Sequence, residues 1–178
     1  MSDRSLVRKV IAGDPKAARA FVDGHYPSVL RALVFLTGSE NEAVDLAQQT
    51  FLKARVGLAE FRFDSSLKTW LRKIAYHEYT HWLRSRGREV SGVVAEQFTE
   101  LSLDGIVLAQ AIGALPEVYR EAFVLREIDR LSVREAAEVL GVPVGTVKSR
   151  CSEARAILVK KLGSTFGPSK VCEAENGK

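Results

Sequence analysis

Large apolar residues recur every three or four positions along most of the chain, and the apolar–polar alternation of a strand is nowhere sustained. This pattern predicts an all-α protein. A short first helix covers residues 6–11 and stops at Gly13-Asp14-Pro15. Asp14 suits an N-cap and Pro15 the first helical position. Ala17, Ala18, Phe21 and Val22 follow, and Tyr26, Val29, Leu30, Leu33, Val34 and Leu36 continue the spacing up to Thr37-Gly38. Ser39 with Glu42 three residues later is a capping box for the next helix. Its apolar stripe is Val44, Ala47, Phe51, Ala54 and Leu58, and its other side carries Asp45, Gln48 and Gln49. Such a stripe buries against neighbours, each fully buried large side chain contributing about 1.5–3 kcal/mol.

A connector, Phe61-Arg62-Phe63-Asp64-Ser65-Ser66, precedes a long helix over about 67–86. Leu67, Trp70, Leu71, Ile74, Ala75, Tyr79 and Trp82 fall on one side of it. Lys73, Tyr76, His77, Thr80 and Arg84 fall on the other, with Arg86 and Arg88 beyond. Cations interleaved with an aromatic suit single-stranded nucleic acid, through phosphates and unstacked bases. Periodicity then weakens over 87–105, where Gly, Ser, Val and four acids read as a linker between two domains. Ile106 opens the second domain. Pro116 starts a helix through Tyr119, Ala122, Phe123, Leu125 and Ile128.

Residues 131–162 carry the most specific local pattern. Ser132 and Glu135 form a capping box, and Ala136, Ala137, Val139 and Leu140 give a small apolar face. Gly141 suits the left-handed end of a helix, and Pro143 opens the next. A short helix, a tight turn and a second helix with polar and basic N-terminal residues predict a helix-turn-helix. Thr146, Lys148, Ser149 and Arg150 are its candidate DNA contacts. Cys151, four residues from Val147, is expected in the core.

Composition narrows the picture. The chain has 178 residues and a formal net charge of +4, which permits nucleic-acid binding without demanding it. Two cysteines, Cys151 and Cys172, fit a reducing cytoplasm better than a disulfide framework. No run is apolar enough for a signal peptide or a membrane span. No phosphate-binding loop or nucleophile elbow occurs. His77-Glu78-Tyr79-Thr80-His81 does match the H-E-x-x-H pattern of zinc proteases. Glu78, however, lies in the apolar stripe, and a catalytic zinc needs a third protein ligand. Burial of Glu78 beside His81 as an internal pair is the expected structural account.

Taken together, the two halves resemble the small, two-domain extracytoplasmic-function sigma factors of bacterial RNA polymerase. The resemblance runs over roughly residues 5–162. Asp45-Leu46-Ala47-Gln48-Gln49-Thr50-Phe51-Leu52-Lys53 is similar to that family's polymerase-binding helix. The stretch from Phe61 through Thr69-Trp70-Leu71 and Ile74-Ala75 to Arg84 is similar to its minus-ten reader. Leu115-Pro116, Tyr119-Arg120, Gly145-Thr146-Val147-Lys148-Ser149-Arg150 and Ala154-Arg155 are similar to its last region, which reads the minus-thirty-five element.

The resemblance implies a non-enzymatic promoter-specificity subunit without cofactor or metal, in the cytoplasm. Its implied partners are core RNA polymerase (clamp helices and flap), promoter DNA and an anti-sigma factor. Residues 1–87 would be the first domain, 88–105 the linker, 106–163 the second domain and 164–178 a disordered tail. Asp45, Gln48, Gln49, Leu52 and Lys53 would dock on polymerase. Phe61, Arg62, Asp64, Ser65, Lys68, Lys73, Tyr76, His77 and Arg84 would hold the downstream single strand. Thr146, Lys148, Ser149, Arg150 and Arg155 would read the upstream duplex. His77 stands where the family commonly has Asn, His81 where it has Asp, and Glu153 where an Arg often precedes the Ala-Arg pair. Two readings compete: a stand-alone helix-turn-helix regulator, and a zinc hydrolase built on His77, Glu78 and His81.

Overall fold

A computed structural model describes residues 2–85 and 103–162, and these are helical with no strand among them. Most of the expected linker, the expected tail with Cys172, and Arg86 and Arg88 lie outside the described residues. The first half comprises α1 (Asp3–Ile11), α2 (Pro15–Thr37), α3 (Glu40–Gly57), a single 3-10 turn (Leu58–Glu60) and α4 (Leu67–Ser85). The second comprises α5 (Leu103–Gly113), α6 (Glu117–Phe123), a widened π turn (Val124–Ile128), α7 (Val133–Leu140) and α8 (Val144–Leu162).

Local chemistry sets most of the helix ends. Ser2 caps α1, its hydroxyl accepting from the Ser5 amide at 3.4 Å, so that helix starts earlier than apolar spacing alone suggests. Asp14 caps α2 by accepting from the Lys16 and Ala17 amides at 2.9 and 3.3 Å. The helix then runs unbroken through Pro27 and stops at Gly38, whose φ is 70°. Ser39 caps α3 through the Glu42 amide. The second half begins earlier than Ile106, because α5 starts at Leu103 inside the expected linker.

Three apolar clusters hold the helices together. Val7, Phe21, Ala54, Leu58, Leu67 and Leu71 form one within the first half. Ala122, Leu125, Leu131, Ala136, Ala137, Val139, Val147 and Cys151 form another within the second. The largest is shared: Leu33, Leu36, Leu46, Tyr79 and Leu83 pack in one cluster with Ile112, Leu115, Val124, Ala154 and Leu158. The expected α3 stripe is shifted. Ala43, Leu46, Ala47, Thr50 and Ala54 are its buried residues, whereas Val44 and Phe51 are half-buried. The reason is that α3 packs against both α2 and α4, which widens its buried side beyond one stripe. Thr50 tolerates burial because its hydroxyl donates to the Leu46 carbonyl at 2.7 Å.

Candidate nucleic-acid interface

The helix-turn-helix is built as its residues dictate. The Ser132 hydroxyl accepts from the Glu135 amide at 3.2 Å, and the Glu135 carboxylate accepts from the Ser132 amide at 2.8 Å. These bonds, with a third from Thr69, hold the Glu135 carboxyl below its ordinary range. Gly141 takes a φ of 66°, a conformation that disfavours any side chain. The Pro143 carbonyl accepts from the Thr146 amide at 2.9 Å to start α8. Val147, Cys151, Ala154 and Leu158 are buried at spacings of three and four. That register turns Lys148 and Ser149 to the surface, with Thr146 and Arg150 half-buried beside them. The Ser149 hydroxyl donates back to the Thr146 carbonyl at 3.0 Å. Arg155 and Glu153 are exposed further along, and Arg155 is ion-paired with Glu127. Cys151 lies in the core with its thiol 3.5 Å from the Ala122 carbonyl, and burial pushes that thiol up.

The first half divides its expected strand-facing set in two. Arg62 and Asp64 are exposed and paired at 3.7 Å, and His77 and Arg84 are exposed on α4. Ser65 is half-buried, its hydroxyl 3.5 Å from the Ser66 carbonyl. Phe61 is packed against its own chain, its ring 4.5 Å from Phe63 and 4.9 Å from Trp70. Phe63 adopts a φ of 62°, with the Arg4 guanidinium 5.2 Å above its ring. Lys68, Lys73 and Tyr76, by contrast, are bonded to the second half. The Lys68 ammonium donates to the Asp129 carbonyl, Lys73 pairs with Glu138, and Tyr76 is hydrogen-bonded to Glu121. Burial raises the Tyr76 hydroxyl well above its ordinary range.

Sequence reasoning missed the strongest of these links. Arg72 grips the Asp129 carboxylate with two nitrogens, Nε on Oδ2 and Nη2 on Oδ1 at 2.6 Å. Their side chains are only 2% and 0% exposed. A charge between Leu71 and Lys73, at the edge of the apolar stripe, was the one local signal for it. Beside this pair, Thr69 donates to the Glu135 carboxylate at 2.7 Å. Buried Glu121 is raised to about 7, first by burial. Tyr79 Oη and Arg120 Nε are buried without a hydrogen-bond partner.

On α3, Asp45, Gln48, Gln49, Leu52 and Lys53 are all exposed. Gln49, Leu52 and Lys53 join Glu78 and His81 of α4 in lining an open groove of about 280 Å³. Leu52 and Val56 are 66% and 79% exposed, an uncommon outlay of apolar surface on one helix. Glu78 is buried as its place in the stripe implies, but its partners are not His81. It accepts from Lys53 at 2.6 Å and lies 3.2 Å from His77 Nδ1, while His81 stays exposed. Burial raises the Glu78 carboxyl, but those two bonds outweigh it and leave the group below its ordinary range. Such a carboxylate is held by the Lys53 ammonium and the His77 ring rather than poised as a base. No group of three or more His, Cys, Asp and Glu side chains able to hold a metal ion occurs among the described residues. The H-E-x-x-H pattern therefore lacks a third ligand there.

The described residues form an all-helical protein in two parts, the second of which carries a helix-turn-helix. Residues 21–89 match the family Sigma-70 region 2, and residues 106–158 match Sigma-70, region 4. The chain is 36% identical to the RNA polymerase sigma-H factor of Pseudomonas aeruginosa over 90% of its length and 93% of that protein. It is 34% identical to the ECF RNA polymerase sigma-E factor of Escherichia coli K12, covering 91% and 95% of the two chains. Among solved structures, the sigma factor RpoE in complex with the anti-sigma factor NepR, from Bartonella quintana, superposes with a TM-score of 0.73 at 30% identity, covering 83% of this chain and 98% of that one. CnrH in complex with the cytosolic domain of CnrY superposes equally well, at 29% identity over 92% and 99%. The chain belongs to the extracytoplasmic-function sigma factors of RNA polymerase, and its function is to direct promoter-specific transcription initiation.

Proposed function

We propose that three faces of the chain divide this work. Asp45, Gln48, Gln49, Leu52 and Lys53 on α3 dock on the clamp helices of the polymerase, with the second half on its flap. Thr146, Lys148, Ser149, Arg150 and Arg155 hold the minus-thirty-five duplex. Phe61, Arg62, Asp64, Ser65, Lys68, Lys73, Tyr76, His77 and Arg84 hold the melted minus-ten strand. Residues 1–87 and 106–163 then act as the two grips, 88–105 as the tether between them, and 164–178 as a tail. Extruding a base from the duplex costs a few kcal/mol, offset by pocket and stacking contacts. Two modest DNA affinities joined by one polymerase act as a bivalent grip.

The observation that carries this reading is the register of α8. Burial of Val147, Cys151, Ala154 and Leu158 aims the basic and hydroxyl side chains of its first turns outward. A helix start of that kind fits a major groove and its flanking phosphates. The chain itself carries out no catalysis and works in the cytoplasm. No helix among the described residues is long and apolar enough to cross a membrane. An anti-sigma protein is its expected regulator, as with the solved sigma factor RpoE in complex with the anti-sigma factor NepR.

Run-off transcription with purified core polymerase over a genomic promoter library tests the proposal. The chain should direct transcripts that core alone does not make. Asp45→Ala should weaken capture of core polymerase while leaving duplex binding intact. A chain inert with core enzyme on every promoter would sink the reading.

A further inference from the structure

Promoter recognition leaves one motif of the chain without a role. His77-Glu78-Tyr79-Thr80-His81 fails as a catalytic centre, because Glu78 is turned inward and no third protein ligand stands by among the described residues. Its two histidines remain. They are four residues apart on α4, a spacing that puts side chains on one face with Cβ atoms about 5–6 Å apart. From Leu67 to Leu83 they are the two exposed residues of the helix, every other one being buried or half-buried. Glu78 stands behind the first of them. Its Oε1 lies 2.6 Å from the Lys53 ammonium and 3.2 Å from His77 Nδ1. A carboxylate only accepts, so Nδ1 carries the proton and, in the neutral ring, Nε2 keeps its lone pair. The His77 side chain is 68% exposed and that of Glu78 4%, so the ring edge away from Glu78 meets solvent. A histidine that gives its second ring N–H to a carboxylate has the support that metal-ligating imidazoles use. The carboxylate fixes the tautomer, holds the ring and makes the free nitrogen a stronger ligand. His81 makes no hydrogen bond or ion pair with the described residues, so its ring can turn to meet His77.

We propose that His77 and His81 bind one divalent transition-metal ion through their Nε2 atoms, with Glu78 as the carboxylate behind His77 and water in the remaining positions. Imidazole nitrogens suit zinc, nickel and copper, whereas magnesium and calcium take oxygen ligands. The ion is a bound ligand and not a catalyst, since the carboxylate of the pattern backs a histidine instead of facing the metal. His81 also lines the groove with Gln49, Leu52 and Lys53, so the ion sits at the rim of that groove. The resemblance puts Asn and Asp at these two positions, so the histidine pair is this chain's own feature. Where His77 also meets a melted strand, the ion and the strand take it in turn.

Isothermal titration of the full, untagged chain with zinc chloride and with nickel chloride tests the site. Each ion should bind once per chain, and excess magnesium chloride should not displace it. His77→Asn or His81→Asp, both at exposed positions, should weaken binding by about tenfold or more, and Glu78→Gln by about 10–100-fold. His25→Gln, at a half-buried position on α2, and Cys172→Ser should leave it unchanged. In the zinc-loaded chain the ring nitrogen resonances of two histidines should shift, with His77 Nδ1 still protonated. Zinc binding that survives the His77→Asn/His81→Asp double variant, or that is lost in Cys172→Ser, overturns the site. A titration with no heat of binding and no histidine shift overturns it as well. Unchanged affinity in a folded Glu78→Gln chain overturns the role given to Glu78. If that variant unfolds, the two exposed histidine variants still decide.

Discussion

Two helices of this sigma factor carry basic residues at comparable density, and the fold treats them in opposite ways. In α8 the burial of Val147, Cys151, Ala154 and Leu158 leaves Lys148 and Ser149 at the surface. In α4 the cations Lys68, Arg72 and Lys73 are bonded to the second half of the same chain. The difference does not lie in the helices. It lies in what packs against them. The first turns of α8 pack Val147 and Cys151 into their own half and face outward on the other side, whereas α4 lies between its own half and the opposing one. A basic helix face in sequence is therefore only a capacity for binding. Its occupant is set by the tertiary arrangement.

That contrast can be broken most sharply at Arg72. Replacing it with Met leaves the Asp129 carboxylate buried without its cation, and removing one partner of a buried pair typically costs about 3–5 kcal/mol. A urea titration followed by circular dichroism should show a loss of that size. A loss no larger than that of an exposed pair would mean that the two halves are apart in solution. A smaller effect is expected at α8. Lys148→Ala or Arg150→Ala should weaken binding to the cognate upstream duplex by about 1–3 kcal/mol if the residue reads a base edge. Equal loss on every DNA sequence would assign it to phosphate instead. Lys68→Ala should leave upstream duplex binding unchanged, since that side chain is turned to Asp129.

The smallest effect expected is on pH dependence, through Glu121. Its carboxyl is raised from 4.5 to about 7, first by burial. Tyr76 bonds it from α4, Glu117 raises it further, and Arg150 and Arg120 pull it down; Tyr79 of α4 is coupled to it as well. A raised acid stabilises the packed form fully below its ordinary value and loses that contribution as pH rises through its folded value. The contribution of Glu121 to packed-state stability should thus fall between pH 4.5 and about 7. Glu121→Gln should flatten this slope, measured as the difference in urea midpoint between the two proteins across that range. Glu78 and Glu135 are shifted the other way and act at lower pH, while His25, lowered by burial, acts with the opposite sign below pH 6.5 and cancels in the difference between the two proteins. Parallel profiles for the two proteins would show that Glu121 is solvated in solution.

Residues close in sequence made much of the fold legible. The Ser132–Glu135 box, the left-handed Gly141 and the spacing of Val147, Cys151 and Ala154 act within a few residues of one another, so their geometry follows from local sterics and hydrogen bonding. The exposed α3 face was legible for the same reason. The partners of Glu78 were less so. Its burial follows from the apolar stripe, yet Lys53 reaches it from another helix, 25 positions away in sequence. The packing of Phe61 was not legible either, since only the folded connector shows its ring against Phe63 and Trp70.

By itself, then, the sequence determined the helices, their caps, the helix-turn-helix and the order of the two halves. Those features depend on backbone preferences and on apolar periods shorter than a helix. Only the tertiary structure decided which basic face lies open and which is closed. The contact between Arg72 and Asp129 joins residues 57 apart in sequence. No local period encodes such a pairing. It exists because a π turn, a left-handed Arg130 and a shared apolar cluster bring two distant segments to one place.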